Sequence, residues 1–435
     1  PLLCSPTHPQ TSSNGVKYAL VAIFVACSGF GGWAALGSME KTGLTALIET
    51  VLAGDRAALP GGPEPFKRHW LGLAPVDGLL NFLVAFFSAM VDGVNNTDSQ
   101  GKVEWNGYLF YVWGMSQFVA AWAVLLLESL RVGNRGRLVS YIGFAGLLFQ
   151  IGTWTVVGPL YLALHLLTSP VASARARGDG PKARRALFVL LWDMALIPAV
   201  VTLTDTLPAV LMNAAGASAS AHYKAIAFWQ FFPLWTVLLQ AFLHPMCSFL
   251  FGSLLPVDGA VRPDRVRRRP RALVAVSLAP AAVRTWLAVH ATSPLLNLPA
   301  SYASLFETAS FTEIFIPASP FHPPTIVATS AVDGTVSYSG LAQAGAHFLR
   351  YDMFVGAVPF LLWAVYLHQT TVKTPLSPLA LIQKIGFWFL VGGAYAPAVA
   401  LLWDRDAVVL EGDEPLQVGA AVRDLTAGRS SKKAQ

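Results

Sequence analysis

The chain has 435 residues, of which 54% are hydrophobic and 12% charged, and its formal net charge is +6. A mean hydropathy of +0.53 excludes an ordinary soluble domain and puts most of the chain in hydrocarbon. The positive charge lies in short loops between apolar runs, which is the signature of membrane topology rather than of a nucleic-acid partner. The expected fold is all-α: a polytopic transmembrane helix bundle of about 8–9 spans enclosing an aromatic-lined cavity. Residues 16–403 would form one helical domain between an N-terminal tail (1–15) and a polar C-terminal tail (404–435).

The first apolar run, Val16 to Leu36, would extend about 32 Å as a helix. It is long for a signal-peptide core and reads as a retained span. A short amphipathic helix is expected at Thr42–Leu52, followed by a Pro/Gly break at Leu59–Pro65. The next run, Pro75–Asp92, carries Asp77, Asn81, Ser88 and Asp92 on a single stripe of a 3.6-residue helix. A membrane helix turns such a stripe toward protein or a cavity. Asp77 and Asp92 are about 22 Å apart along the axis, so the stripe reads as a cavity wall with Asp77 and Asn81 near one mouth. The loop after it holds the sequon Asn95-Asn96-Thr97.

A third span is expected at Tyr108–Leu127, then a basic turn with Arg131, Arg135 and Arg137. The run 138–167 is too long for one upright helix and too short for two, and Gly158-Pro159 predicts a kink or break inside it. Further spans are expected at Ala186–Leu211, Ile226–Leu250, Ala272–Ala291, Ala342–Leu367 and Leu379–Leu402. The positive-inside rule puts the basic loops 131–137, 172–185 and 261–271 on the cytoplasmic side. The first two flank the 138–167 run, so they share a side only if that run re-enters or forms two short helices.

Polar stripes recur on other helices. Gln150, Trp154, Tyr161 and His165 share one face, as do Trp229, Thr236, Gln240 and His244. Interhelical hydrogen bonding explains any single member as well as a site does. The carboxylates are sharper: Asp193 and Asp352 sit mid-span, with Arg350 two residues before Asp352 and on a different side of the helix. An ionised carboxylate in hydrocarbon costs several kcal/mol, so it pairs or stays protonated, and a protonated carboxyl in an apolar pocket is a proton donor. Indole faces of Trp154 and Trp229 suit a cationic intermediate, and equally suit packing. Walker, GxGxxG, HExxH, GxSxG and aspartate-rich diphosphate motifs are missing from the sequence. The three cysteines have no metal spacing, so the chemistry expected is acid–base chemistry on an apolar substrate, with no metal and no cofactor.

Three stretches, PVDGLLNFLVAFFSAMVDG, WQFFPLWTVLLQ and RYDMFVGAVPFLLWAVYLH, resemble the fungal membrane-bound terpene cyclases of the ascofuranone and macrophorin meroterpenoid type. The resemblance implies a multi-pass membrane enzyme of the endoplasmic reticulum. It would protonate a terminal epoxide or olefin of a farnesylated precursor and guide carbocation cyclisation, with membrane lipid as its surroundings. The residue reading then gives Asp352 or Asp193 as the acid, with Asp77 and Asn81 as further candidates. Trp229 and Trp154 would stabilise the cation, and Gln240, His244, Gln150 and Arg350 would orient substrate or end the cascade. A lipid- or sterol-type isomerase, or a transporter with a polar conduit, is the alternative.

Overall fold

A computed structural model of the chain describes residues 11–53, 69–92, 105–212, 219–251, 311–323 and 338–410. Every regular element among the described residues is helical. In chain order the first helices are α1 (Thr11–Thr42), α2 (Leu44–Ala53), α3 (Ala74–Asp92) and α4 (Trp105–Leu130), followed by α5 (Ile142–Gly152), α6 (Trp154–Thr168) and α7 (Gly180–Leu187). Then come α8 (Leu191–Val201), a π-helical turn (Thr202–Thr206), α9 (Leu207–Met212), α10 (Ala219–Trp229) and α11 (Phe232–Phe251). The last are α12 (Phe311–Phe315), α13 (Tyr338–Thr371), α14 (Pro378–Gly392) and α15 (Ala396–Leu410).

Among the described residues five stretches are long and apolar enough to cross a membrane: Asn14–Thr42, Asn106–Leu130, Gly180–Met212, Phe232–Phe251 and Leu341–Thr371. The sequence suggested more single spans because some apolar runs are divided. The 379–402 run is two helices, α14 and α15, turned at Gly393 with φ +84°. The 226–250 run keeps its span as α11, with only its first residues in α10. The expected span 272–291 and the Asn95 sequon lie outside the described residues. The short amphipathic helix is present as α2, its Leu44, Leu47, Ile48 and Val51 buried.

The 138–167 run breaks at Thr153 rather than at Gly158-Pro159. Pro159 lies inside α6, while Thr153 stands at φ +68°, ψ +154° between α5 and α6. The run is therefore two short helices, and both basic loops lie at one end of the bundle. There Val132 N–H donates to Phe188 O at 2.8 Å and Ala176 N–H to Thr371 O at 2.9 Å. The turn into α7 is locally encoded: Asp179 accepts from Lys182 N–H at 2.9 Å, and Pro181 sits in the first turn.

At this basic end a buried ionic network ties α4 to α15. Arg131 donates to Glu128 at 2.7 Å and to Asp406 at 2.6 Å, and Arg405 donates to Glu128 at 2.7 Å. Two carboxylates and two guanidiniums balance, which is the condition for burying any of them. His165 lies beside the network, its Nε2 3.8 Å from Glu128, and its ring is held from the other side by Trp363, whose Nε1–H donates to His165 Nδ1 at 3.1 Å. An indole N–H only donates, so the imidazole proton lies on Nε2. The polar tail expected from 404 thus begins inside a helix, with Arg405 and Asp406 in the core.

Helix α13 is the axis of the bundle and packs against α1, α3, α4, α6 and α15. Close approach of α1 to α6 depends on Gly31 and Gly32, where a Cβ would run into Thr155 and Val156. Ser28 Oγ–H closes the contact by donating to Val156 O at 2.8 Å.

Candidate active site

Between α1, α3, α4, α13 and the α5–α6 break lies a pocket with about 1000 Å³ of empty space, its mouth included. Ten of its lining residues are aromatic, among them Phe86, Phe87, Phe118, Phe149, Trp154 and Trp229. Edge-to-face contacts lock several of these rings in place: Phe149–Trp154 at 5.0 Å and 87°, and Phe87–Trp229 at 5.3 Å and 65°. The wall is therefore rigid and presents ring faces and edges of fixed orientation.

Asp352 is the carboxylate of this lining. It is half-buried, and its open side looks into the pocket. Its Oδ1 accepts the Thr155 N–H at 2.8 Å, and the Trp154 amide and Thr153 side chain face the same carboxyl. Among the described residues no cationic side chain pairs with it. Arg350, two residues earlier, points elsewhere: it donates to the Ile314 carbonyl at 2.8 Å and to that of Glu313, and stacks over Phe110. The different sides expected for these two residues are what the helix delivers.

The break at Thr153 creates the donor set. With φ +68° and ψ +154° this β-branched residue occupies a region nearly confined to glycine. Such a conformation costs on the order of 1–3 kcal/mol and persists only where the surroundings impose it. Its effect is to aim the first amides of α6 at Asp352.

Both tryptophans of the sequence reading line the pocket. Trp154 Nε1–H donates to Tyr395 Oη at 2.5 Å, and Tyr395 O–H passes the chain on to Met353 O at 3.1 Å. Trp229 Nε1–H donates to Asp205 Oδ1 at 2.9 Å. Each indole is thus held by its polar edge outside the pocket. Gln150 also lines the pocket.

The other candidates gather elsewhere. Asp193 lies in the first turn of α8, paired with Arg135 at 2.6 Å and His244 at 2.6 Å. Gln240 Nε2–H donates to the Asp193 carbonyl at 2.8 Å. Asp193, Gln240 and His244 therefore form one polar cluster with a basic-loop arginine, apart from the pocket lining. Asp77 accepts Leu71 N–H at 2.8 Å and Gly72 N–H at 3.1 Å, and Asn81 accepts Trp70 Nε1–H at 2.7 Å. These two fasten the segment before α3 to its first turns, while Leu79, Phe82, Leu83, Phe86 and Phe87 give the helix its pocket face. The Asp77–Asn81 end of the polar stripe is a structural seam, and the apolar face beside it is the cavity wall.

Sequence reasoning missed Thr153 and Tyr395. Neither has a motif; Tyr395 follows the Gly392-Gly393 pair, the one local sign that the chain turns there. Gln117 braces that turn, donating to Gly392 O at 3.1 Å and accepting Tyr395 N–H at 3.3 Å.

The CtvD domain model matches residues 16–410. The chain is 24% identical over 391 residues to the terpene cyclase ascI of Acremonium egyptiacum, covering 88% of this chain and 90% of that one. It is 25% identical over 349 residues to the terpene cyclase ctvD of Aspergillus terreus, covering 80% and 88%. It is also 27% identical over 310 residues to a Penicillium roqueforti protein named FAD-dependent monooxygenase anuJ, covering 66% of this chain and 32% of that one. No solved structure matches the chain significantly. With the family model spanning nearly the whole helical bundle and fungal terpene cyclases as full-length relatives, the chain belongs to the CtvD-domain family.

Proposed function

We propose that the chain is an integral-membrane terpene cyclase that opens a terminal epoxide of a farnesylated precursor and closes the polyene in the aromatic pocket. The observation that carries this reading is a carboxyl with no cationic partner among the described residues, in the wall of a mostly apolar and aromatic pocket. Asp352 is the acid. Its Oδ1 is occupied by the Thr155 amide, so Oδ2 is the oxygen that presents the proton.

Asp352 delivers that proton to the epoxide oxygen. The C–O bond to the more substituted carbon breaks, and its electron pair stays on oxygen as a hydroxyl. The neighbouring double bonds then attack the cationic carbon in turn. Loss of one proton from the last cation makes the product an isomer of the substrate. The ring faces of Trp154 and Trp229 stabilise the travelling charge, an interaction worth about 2 kcal/mol when desolvated, and Gln150 orients the polar end of the substrate. The match to part of a protein named as a monooxygenase supports the epoxide over the olefin, since a flavin monooxygenase installs such an oxygen.

Leu36 and Ile151 line the pocket and are themselves 42% and 60% exposed. Apolar side chains at an opening suit entry from the bilayer. Asp352 would lie about 16 Å from one end of the Leu341–Thr371 stretch and about 28 Å from the other, well inside the membrane. The basic end would face the cytoplasm of an endoplasmic-reticulum membrane.

The test is incubation of membranes containing the chain with a farnesylated phenol as its terminal epoxide and as its olefin. A cyclised product of unchanged mass from the epoxide is expected. Cyclisation of neither compound overturns the reading, and cyclisation of the olefin alone overturns the epoxide step.

A further inference from the structure

Among the described residues Thr153 is the non-glycine residue at positive φ, and it lines the pocket. The backbone alone would favour glycine there. What threonine adds is a hydroxyl. Its Oγ1 is closed off from solvent, adjoins the Asp352 carboxyl, and makes no hydrogen bond of well-formed geometry. The next two amides, of Trp154 and Thr155, face the same carboxyl. One short turn therefore gathers three donors against one acid, at the N-terminus of a 15-residue helix.

We propose that the Thr153–Thr155 turn is a cradle for the conjugate base of Asp352, with Thr153 its positioning residue. This rests on Asp352 being the acid. As the Asp352 O–H bond breaks and the proton passes to the epoxide oxygen, the bonding pair remains on the carboxylate. The two amides already point at that charge, and the Thr153 hydroxyl needs only to rotate to become the third donor. The positive end of α6 adds to the same effect. Donors fixed before charge develops lower the barrier because nothing has to reorganise. The cradle also keeps the anion in the wall, so the cation propagates along the polyene instead of recombining with the carboxylate.

The hydroxyl and the strained backbone are separable by substitution. Thr153→Ser keeps the donor, Thr153→Ala removes it, and Thr153→Gly removes it while relaxing the backbone. Measured on the full chain in membranes, the Ser variant should keep kcat within about threefold of the parent. The Ala and Gly variants should lose about tenfold to a hundredfold in kcat with KM unchanged, somewhat less than the loss for a fixed oxyanion donor. The Gly variant should unfold at no lower temperature than the parent. Full turnover in the Gly or Ala variant, or equal losses in Ser and Ala, overturns the cradle. Asp352→Asn assayed alongside separates the two ideas: if it is inactive while Thr153→Ala is fully active, the cradle alone falls, and if it is active the acid itself is misassigned.

Discussion

Trp154 shows how one side chain serves packing and chemistry together. Its indole is clasped edge-to-face by Phe118 and Phe149, and its N–H is committed to Tyr395. Removing the Tyr395 hydroxyl leaves that buried N–H unpaired, at a cost of about 1–3 kcal/mol, and frees the ring to tilt. Tyr395→Phe is expected to cyclise substrate but to release a larger share of early-terminated, partly cyclised products, read by mass spectrometry of the product mixture. An unchanged product ratio would show that Tyr395 is only packing. The two indoles were visible in the sequence as members of polar stripes. Tyr395 was not, because it reaches Trp154 across 241 residues of chain, and nothing in its neighbourhood marks a hydrogen-bond partner so distant.

At the scale of elements, local chemistry and tertiary packing disagree in an instructive way. Gly158-Pro159 is the strongest breaker signal in its run, yet α6 continues through it. Thr153 has no breaker chemistry, yet the chain turns there, where its neighbours Trp154 and Thr155 meet Asp352 and Thr155 packs on Gly31. Gly152 just before Thr153 is the only local sign of this break, and a lone glycine is a weaker signal than the Gly-Pro pair that the helix ignores. The same holds for the striped helix α3: the 3.6-residue period located the stripe, but whether that stripe faced a cavity or a neighbouring segment was decided by Trp70, Leu71 and Gly72 folding back onto it. The Glu128–Arg131–Arg405–Asp406 network likewise joins residues 275 and more apart. Glu128→Gln leaves two buried guanidiniums sharing the single full carboxylate of Asp406, and breaking one member of such a set typically costs about 3–5 kcal/mol. The thermal unfolding midpoint of the variant in detergent should fall clearly below that of the parent. An unchanged midpoint would mean that water reaches the network.

At the scale of the whole molecule, composition alone indicated the helical class, and the density of charge in the loops indicated one basic end. The division of the 138–167 run into α5 and α6 resolves the conflict between the two basic loops: two short helices can return the chain to the side from which it started. Arg137 and Lys182 are both exposed at this end. Cysteines introduced there one at a time, Arg137→Cys and Lys182→Cys in a chain without its native cysteines, should react with an impermeant reagent from the same face of sealed vesicles. Labelling from opposite faces would contradict the shared end. The division of labour across the bundle follows: an ionic lock at the basic end, and deeper in the bundle an aromatic pocket with one acid in its wall.

Two aspartates were equal candidates for that acid in the sequence, and their surroundings separate them. Asp193 is paired with the Arg135 guanidinium and lies against His244 outside the pocket, whereas Asp352 faces the pocket with amide donors at its back. The most direct measurement is the turnover of Asp352→Asn and Asp193→Asn on the same farnesylated epoxide, each variant matched to the parent in membrane abundance. Loss of a positioned general acid removes about 10²–10⁴-fold in rate. Asp352→Asn should fall by that much, while Asp193→Asn keeps most of its turnover; an active Asp352→Asn beside an inactive Asp193→Asn would contradict the assignment outright.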